Sequence, residues 1–293
     1  MSASPAAGIG FDAASRFKRI LLPGIAKSTS GQVISWQLPR VGFLRAIVLP
    51  IRLTIAGTLS SPNALGQAVA IQQVRLTANS GMDLINISGA GYHYLLREFF
   101  ETGQDLGVNT TARSAVAAGS AVLDMYLPLA PNQRDPVGLL NLQTEENTYQ
   151  LTITFAADTV LASGTTGVTG TITPMLEIYT VPDSEADYPP DDVVQRILED
   201  TQTVSQTSEY TYPIARGDIL LQMAHGYGIG VSGADQFSYA RLRVNQSENL
   251  IEMQPQHADV IKIVDGSSNV QRRAGSWAYD LVASSGLGNY DKY

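Results

Sequence analysis

Residues Val74–Ser88 read VRLTANSGMDLINIS and residues Ala240–Gln254 read ARLRVNQSENLIEMQ, so the chain carries nearly the same stretch twice. Aligned without a gap, the two stretches have identical residues at Arg75/Arg241, Leu76/Leu242, Asn79/Asn245, Leu84/Leu250 and Ile85/Ile251. Each stretch alternates apolar and polar residues, breaks at a polar turn around the asparagine, and then alternates again. This pattern predicts a β-hairpin in each copy.

The segments ahead of the two hairpins are also alike. ISWQLPRVGFLRAIVLPIRLTIAG precedes the first hairpin, and EYTYPIARGDILLQMAHGYGIGVSG precedes the second. Both contain an aromatic residue, a proline, an arginine and a glycine, followed by an apolar run that ends in glycine. A repeated order of elements indicates two related β-barrels in tandem, and the second is expected to be shorter because fewer residues remain for it.

Strand patterns dominate the first 180 residues. IRLTIAG (51–57) and YQLTITF (149–155) place apolar residues on one face and polar residues on the other, whereas stretches such as ASGTTGVTG (162–170) predict loops. GYHYLLREFFETG (91–103) and PPDDVVQRILEDTQTV (189–204) have helical spacing instead. The predicted fold class is therefore all-β, with tandem jelly-roll barrels and two short amphipathic helices.

The composition changes along the chain predict four parts. These are an N-terminal arm (1–30), a first jelly-roll β-barrel (31–182), an acidic linker with a helix (183–207) and a second, shorter β-barrel (208–293). The boundary after residue 182 is placed at the acidic, proline-containing stretch VPDSEADYPP.

Charge is distributed unevenly along the chain. The 293 residues include 19 Lys and Arg against 27 Asp and Glu, which gives a net charge of −8 and argues against a main surface that binds nucleic acid through its phosphates. The arm has the opposite sign, with Arg16, Lys18, Arg19 and Lys27 against Asp12 alone. Such an arm is either a solvated tail or a segment that contacts an anionic surface or a neighbouring subunit.

The sequence contains no recognisable catalytic or metal-binding pattern. There is no cysteine, and His93, His225 and His257 lie far apart, so neither thiolate nor histidine metal sites have the necessary spacing. GIGVSG (228–233) matches G-x-G-x-x-G, but the following residues favour a strand where a phosphate-binding motif requires a helix. We therefore expect no cofactor, no metal and no enzymatic activity.

The tandem barrels, the N-terminal arm and the helices between strands resemble the upright double jelly-roll major capsid proteins of tailless, membrane-containing icosahedral viruses. These are the tectivirus, corticovirus and adenovirus lineage. The resemblance is architectural, spans residues 31 to about 265 and rests on no diagnostic motif. It implies a structural coat protein that self-assembles into capsomers, in this lineage trimers, within the shell of a virion.

The resemblance also implies partners and a location. The partners would be copies of the chain itself, other capsid proteins, and an internal membrane contacted by the arm through Arg16, Lys18, Arg19 and Lys27. The chain would be made in the host cytoplasm and would not bind nucleic acid sequence-specifically. The alternative is a carbohydrate-binding β-sandwich or a phage spike or fibre module, which would require clustered aromatic residues, whereas Trp36 and Trp277 are scattered.

Overall fold

The computed structural model describes residues 11–79, 81–96, 116–130, 136–189, 194–203, 209–214, 222–226, 238–244, 248–254, 257 and 276–280. The chain divides into two compact units. The first comprises Met1–Gly89 and Asn109–Leu198, and the second comprises Ala90–Val108 and Glu199–Tyr293. This division falls at Leu198, later than the boundary predicted after residue 182.

Strands are the main regular structure in the described residues of the first unit. They are β1 Phe17–Leu21, β2 Ile25–Lys27, β3 Val33–Gln37, β4 Phe43–Leu49, β5 Arg52–Pro62, β6 Ile71–Ala78, β7 Met82–Ile87, β8 Gly119–Val122, β9 Met125–Pro128, β10 Leu140–Asn141, β11 Tyr149–Phe155, β12 Ala162–Ile172, β13 Met175–Tyr179 and β14 Ile197–Leu198. Short helical turns lie at Phe11–Ala14 (α1), Gly66–Ala70, Asp158–Val160 and Glu185–Asp187.

Two sheets follow each other along the same strands of the chain, and we call them together the bent sheet. One half has the order β1-β13-β4, with β9 and the two-residue β10 both paired to β4, and the other has the order β2-β12-β5-β8. Except for β10, each strand of the first half is joined to its counterpart in the second half by at most a few residues. We refer to these parts as the β4 half and the β5 half.

Prolines mark the bend because a proline has no N–H to donate to a strand ladder. Pro23, Pro50 and Pro174 lie in three of the four joints. Backbone hydrogen bonds cross the joints, from Leu22 N–H to the Pro174 carbonyl at 2.8 Å and from Leu123 N–H to the Ile51 carbonyl at 2.7 Å. The bend therefore redirects the sheet without separating its halves.

The opposing sheet has the order β14-β7-β6-β11-β3. Two strands joined across the bend count as one strand of the jelly roll. In chain order the eight strands are then β1–β2, β3, β4–β5, β6, β7, β8–β9, β11 and β12–β13. With this numbering the bent sheet has the order 1-8-3-6, and the opposing sheet has the order 2-7-4-5, extended by β14. This is the eight-stranded arrangement of a jelly roll. Leu44, Ile47, Leu76, Leu151 and Ile153 are all 0% exposed and belong to the core of this unit.

Residues 17–27 are part of the barrel, although the sequence predicted that they belong to an arm. Strand β1 pairs with β13 over Phe17–Leu21, and β2 pairs with β12 over Ile25–Lys27. Together they form the first strand of the jelly roll. They lie at the edge of the bent sheet, where a strand has one ladder partner and exposed charges are tolerated.

The glycine-rich stretch 162–170 is also a strand, whereas the sequence predicted a loop. Strand β12 pairs with β5 through three register shifts. Gly57 has φ +132° and Gly164 has φ +81°, and a Cβ at Gly57 would collide with the Gly164 carbonyl oxygen. Glycine is therefore required where these bulged strands approach each other closely.

The second unit contains four described strands: β15 Gln222–Gly226, β16 Ala240–Val244, β17 Glu248–Met253 and β18 Ser276–Asp280. Strand β15 pairs with β18, and β16 pairs with β17, both antiparallel. In the first unit β5 pairs with β8, and β6 pairs with β7. The described part of the second unit thus repeats four consecutive strands of the jelly roll with the same pairing.

The two predicted hairpins are confirmed, and their registers coincide. Leu76 faces Ile85 in the first hairpin, and the aligned Leu242 faces Ile251 in the second. Immediately afterwards both ladders skip one residue, Leu84 in the first and the aligned Leu250 in the second. A β-bulge is a specific backbone feature, so its recurrence at one aligned position supports a true internal repeat.

The two helix predictions have different outcomes. Residues Gly89–Gly91 (α2) and Tyr92–Leu96 are helical, the latter as a π-helical turn, and the remainder of the predicted helix 91–103 lies outside the described residues. The helix predicted over 189–204 is wrong for its described part, because Ile197–Leu198 form β14, paired in parallel with β7. Ile197 is 8% exposed, so its apolar character serves a strand contact.

Candidate interaction surfaces

The four basic residues singled out in the sequence occupy two different environments. Arg16, Lys18 and Arg19 are exposed at or beside β1, on the edge of the bent sheet. Lys27, at the end of β2, is 1% exposed. The prediction that Lys27 contacts a membrane or a neighbouring subunit is therefore wrong, because its side chain lies inside the first unit.

Lys27 belongs to a buried ion pair. Its Nζ lies 2.8 Å from Asp158 Oδ1 and donates a second hydrogen bond of 2.6 Å to the Val168 carbonyl. Asp158 Oδ2 accepts the Val168 N–H at 3.1 Å, and the Asp158 N–H donates to Ser30 Oγ at 2.9 Å. Each charge therefore has several partners, which burial of an ion pair requires. The pair ties the first strand of the jelly roll to the turn before β12.

Arg19 belongs to a second ion cluster, on the outer face of the bent sheet. Its guanidinium lies 3.0 Å from Glu177 Oε1, while Arg45 lies 3.9 Å from Glu177 Oε2. Tyr126 donates its hydroxyl hydrogen to Glu177 Oε2 at 3.2 Å. The Glu177 side chain is 6% exposed, whereas that of Arg19 is 60% exposed. A carboxylate is thus enclosed on a sheet surface by groups from three other strands.

An aromatic ring supports the same arginines. The Arg19 and Arg45 guanidinium carbons lie 5.3 Å and 5.8 Å from the centre of the Phe17 ring, within the range of cation–π attraction. Phe17 in turn contacts the Tyr179 ring edge-on, with centroids 5.5 Å apart. Arg19 is therefore fixed on one side by a carboxylate and on the other by a ring.

The cluster lies within an apolar surface of the β4 half. Residues directly opposite each other on neighbouring strands share a face, and three such rows point away from the core. The rows are Leu21, Met175, Val48 and Tyr126; Arg19, Glu177, Ala46 and Pro128; and Phe17, Tyr179 and Phe43. The Phe43 end is covered by Phe11 of α1 and by Tyr188. On the edge strand β1, in contrast, Leu21 is 67% exposed and Phe17 is 41% exposed.

The outer face of the β5 half is chemically different. Thr169, Thr54 and Ser120 face one another across three strands, and all three are exposed. Thr171 lies opposite Ala26 in the next outward row. Arg52 is also on this face and pairs with Asp124 at 3.0 Å, with 67% of its side chain exposed. This surface is polar and exposed.

A cavity of about 290 Å³ lies at one end of the first unit, between the β6–β7 turn and the segment that leads into β11. Its lining is mainly apolar and includes Met82, Leu84 and Leu140. At its rim, Asn79 donates its amide hydrogen to Asn147 Oδ1 at 2.8 Å. Burial raises the pKa of Tyr149, and a hydrogen bond with Asn147 partly opposes this shift. The lining contains no carboxylate or histidine, so the cavity suits an apolar group better than acid–base chemistry.

The second unit has an exposed aromatic segment at 209–214. Tyr210, Tyr212 and Ile214 are 40%, 46% and 39% exposed. The Tyr212 hydroxyl donates to Asp200 Oδ2 at 2.6 Å, and Gln202 donates to the same oxygen at 2.9 Å. The hydrogen bond from Tyr212 lowers the pKa of Asp200 and raises that of Tyr212.

Other sequence features have clear positions in the structure. Trp36 is 4% exposed, and its indole N–H donates to the Pro23 carbonyl at 2.7 Å, so this ring stabilises the barrel and does not line a sugar-binding groove. The residues that the structure describes contain no group of three His, Asp or Glu side chains arranged to hold a metal. In the same residues, no helix is both long and apolar enough to cross a membrane.

Sequence reasoning identified Arg19 but missed Glu177, Arg45 and Phe17 as its partners. Glu177 lies 158 residues from Arg19 along the chain, and only the β1–β13 register brings them together. One signal was present. A glutamate interrupts the apolar run MLEIY (175–179), and a charged residue in a central strand requires a partner.

Comparisons with known proteins give one clear result, which concerns the fold. No family model matches the chain, and no curated protein matches its sequence. Solved structures do match. The crystal structure of the Sulfolobus Turreted Icosahedral Virus major capsid protein aligns with a TM-score of 0.63 and 16% identity, over 90% of this chain and 84% of that chain.

Two further structures show the same likeness. The capsid of PBCV-1 virus aligns with a TM-score of 0.58 and 11% identity, over 92% of this chain and 78% of that chain. The atomic structure of Sulfolobus Turreted Icosahedral Virus aligns with a TM-score of 0.52 and 13% identity, over 91% of this chain and 80% of that chain. The predicted all-β, tandem jelly-roll fold class is therefore confirmed, and the chain has the fold of these viral capsid proteins.

Proposed function

We propose that the chain is a structural major capsid protein, which self-assembles into trimeric capsomers of an icosahedral virion. The observation that carries this proposal is the fold likeness over 90% of the chain to a viral major capsid protein. A match of this extent includes both units and is not limited to one common barrel. The internal repeat, with its matching bulge, is what a tandem jelly-roll protein requires.

The surfaces support assembly as the activity. Exposed charges on the edge strand β1, among them Lys18 and Arg19, hinder unplanned strand pairing at the high local concentration of a shell. The outward surface of the β4 half offers aromatic and arginine side chains, the residue types enriched at protein interfaces. Under this proposal the partners are copies of the chain in the shell of a virion, and the protein performs no catalysis.

The exposed basic residues allow a second contact. We infer that Arg16 and Lys18, which lie at the sheet edge without a role in the core, face inward toward an internal membrane or another capsid protein. Anionic headgroups attract such residues with about 1 kcal/mol each. Flotation of the purified protein with anionic vesicles tests this contact, and equal flotation of an Arg16→Gln/Lys18→Gln variant would contradict it.

The assembly proposal is tested by the mass of the purified chain. Size-exclusion chromatography with light scattering should give three times the 31.4 kDa of one chain, and negative-stain microscopy should show particles with a pseudo-hexagonal outline. The same sample should show no binding on a glycan array. A strict monomer at high concentration, with no particles under any salt or crowding condition, would contradict a coat function.

A further inference from the structure

The outward surface of the β4 half has a composition that the fold of the first unit does not require. We call this surface the outer patch. It consists of Phe17, Leu21, Val48, Tyr126, Met175 and Tyr179, with Arg19, Arg45 and Glu177 at its centre. The opposite, inward face of the same strands carries the core, where Leu176, Ile47 and Leu127 are 0% exposed. Most of the core is thus formed without the outer patch, and Tyr179 is the patch residue that also packs against the buried cluster of Phe11 and Phe43.

We propose that the outer patch binds an acidic surface on a second copy of the chain, in a head-to-tail contact that closes into a ring. This inference rests on the proposed capsid function and names the contact through which copies would associate. The occupant is a second copy, and not a lipid layer or an unrelated protein.

The apolar part of the argument depends on the contrast within one sheet. The same four strands present hydroxyl rows in the β5 half and aromatic and methionine rows in the β4 half. An exposed apolar surface is unfavourable in water unless it is covered, and clustered exposed apolar residues mark interaction surfaces. Within the outer patch Phe17 and Leu21 are exposed, at 41% and 67%, and the other apolar side chains are half-buried, so these two have the most to gain from burial.

The central arginine is already held in a binding geometry. Glu177 and Phe17 fix the Arg19 guanidinium, yet 60% of the side chain faces solvent. A fixed guanidinium loses little conformational entropy when it binds a carboxylate, and arginines beside aromatic rings are frequent hot spots of interfaces. Arg19 is therefore a preorganised donor with spare hydrogen-bonding capacity.

Charge identifies the partner surface. Arg19 and Arg45 lie in the outer patch with Glu177 as the carboxylate between them, whereas the whole chain has a net charge of −8. The cationic patch therefore complements the remaining surface of another copy. A two-fold contact of patch against patch would bring cations together, so a heterologous contact is favoured, and such a contact gives a ring such as a trimer when the rotation between copies closes.

Two pairs of variants test the outer patch, each with a matched control in the first unit. Arg19→Gln is matched by Arg52→Gln, because both arginines lie on the bent sheet, pair with a carboxylate at 3.0 Å and are 60% and 67% exposed. Leu21→Ser is matched by Val33→Ser, because both are edge-strand residues, 67% and 59% exposed. Leu21→Ser disturbs no ion pair and so separates loss of binding from loss of folding.

The measurement is the concentration dependence of association, by light scattering or mass photometry, with thermal unfolding as a check on folding. Arg19→Gln and Leu21→Ser should each weaken association by about tenfold or more, and their controls by less than about threefold. Higher salt should weaken association of the unmodified chain, and it should weaken that of Arg19→Gln less steeply.

The outcomes separate this inference from the function on which it rests. If the unmodified chain assembles and both patch variants assemble equally well, the inference fails and the coat function stands. If the patch variants assemble normally but no longer float with anionic vesicles, the occupant is a lipid surface and the inference is also overturned. If the unmodified chain never associates, the coat function itself fails.

Discussion

The two halves of the bent sheet are formed by the same four strands of the jelly roll, but their outer faces differ in chemical composition. Toward the core they are alike: Leu53 and Ile55 in the β5 half are as deeply buried as Leu44 and Ile47 in the β4 half. Away from the core, the β5 half presents hydroxyl rows, and the β4 half presents the outer patch. On the outward side Phe43 packs with Phe11, whereas Phe17, Arg19 and Leu21 stay exposed at the edge strand, so the fold does not account for the apolar character of that edge.

The first strand of the jelly roll shows the same contrast in its charges. In the β5 half it points Lys27 inward to Asp158, in a pair that is almost fully buried. In the β4 half it points Arg19 outward to Glu177, and the guanidinium stays accessible. One strand thus carries a charge that holds the barrel together and a charge that is available to a partner. Substitution of Lys27 should therefore affect stability, and substitution of Arg19 should affect association.

The largest effect on stability is expected at Lys27. Lys27→Met would leave the Asp158 carboxylate buried without a counter-charge, which should lower the free energy of unfolding by about 3–5 kcal/mol. If this variant associates like the unmodified chain under conditions where it is folded, Lys27 affects stability and not association, in contrast to Arg19. Urea denaturation followed by tryptophan fluorescence measures the change, since Trp36 lies in the core of the first unit.

The double variant Lys27→Met/Asp158→Asn is the control for this effect. It removes both charges while the asparagine can still accept the Val168 N–H, so most of the lost stability should return. If the free energy of unfolding of the single variant is within about 0.5 kcal/mol of that of the unmodified chain, the ion pair does not stabilise the barrel. Lys27 and Arg19 would then not differ in their structural role.

A smaller effect is expected at Glu177. Glu177→Gln leaves Arg19 and Arg45 around a neutral amide and weakens hydrogen bonds to a charged group, which should cost about 1–3 kcal/mol. Asp124→Asn, in the ion pair with the exposed Arg52, should cost about 1 kcal/mol or less. Urea midpoints of the two variants, measured side by side, give the comparison. Equal losses would show that Glu177 is no more structural than a surface acid.

The sequence predicts those parts of the fold that depend on local alternation. The hairpins at 74–88 and 240–254 and the strand at 149–155 were found because apolar and polar residues alternate where one face is buried. Strand β1 was missed because it lies at an edge. Phe17, Lys18 and Arg19 are all exposed, so the strand has no buried face over these residues and reads as a basic tail.

The candidate site was predictable only in part, for a related reason. The basic character of Arg16, Lys18 and Arg19 is visible in the sequence, but the position of Lys27 inside the barrel is not. Lys27 and Asp158 are 131 residues apart, and their contact follows from a strand register that a single sequence does not show. In the same way, the apolar stripe around Ile197 fits a helix as well as a strand, and only the free edge of β7 decides between them.

The smallest effect on stability is expected from making the β5 half resemble the β4 half. Thr54 and Thr169 face each other on adjacent strands and are both exposed, so Thr54→Leu/Thr169→Leu should change the free energy of unfolding by less than about 1 kcal/mol. The core-facing rows stay intact in this variant, and thermal unfolding measures any change.

The association of the Thr54→Leu/Thr169→Leu variant is the informative result. An added apolar row without a fixed arginine should not raise the affinity between copies, because specific contacts depend on preorganised anchors such as Arg19. If mass photometry shows that the variant associates more tightly, and Leu21→Ser restores the original affinity in the same background, apolar area alone drives the contact and the role given to Arg19 is wrong.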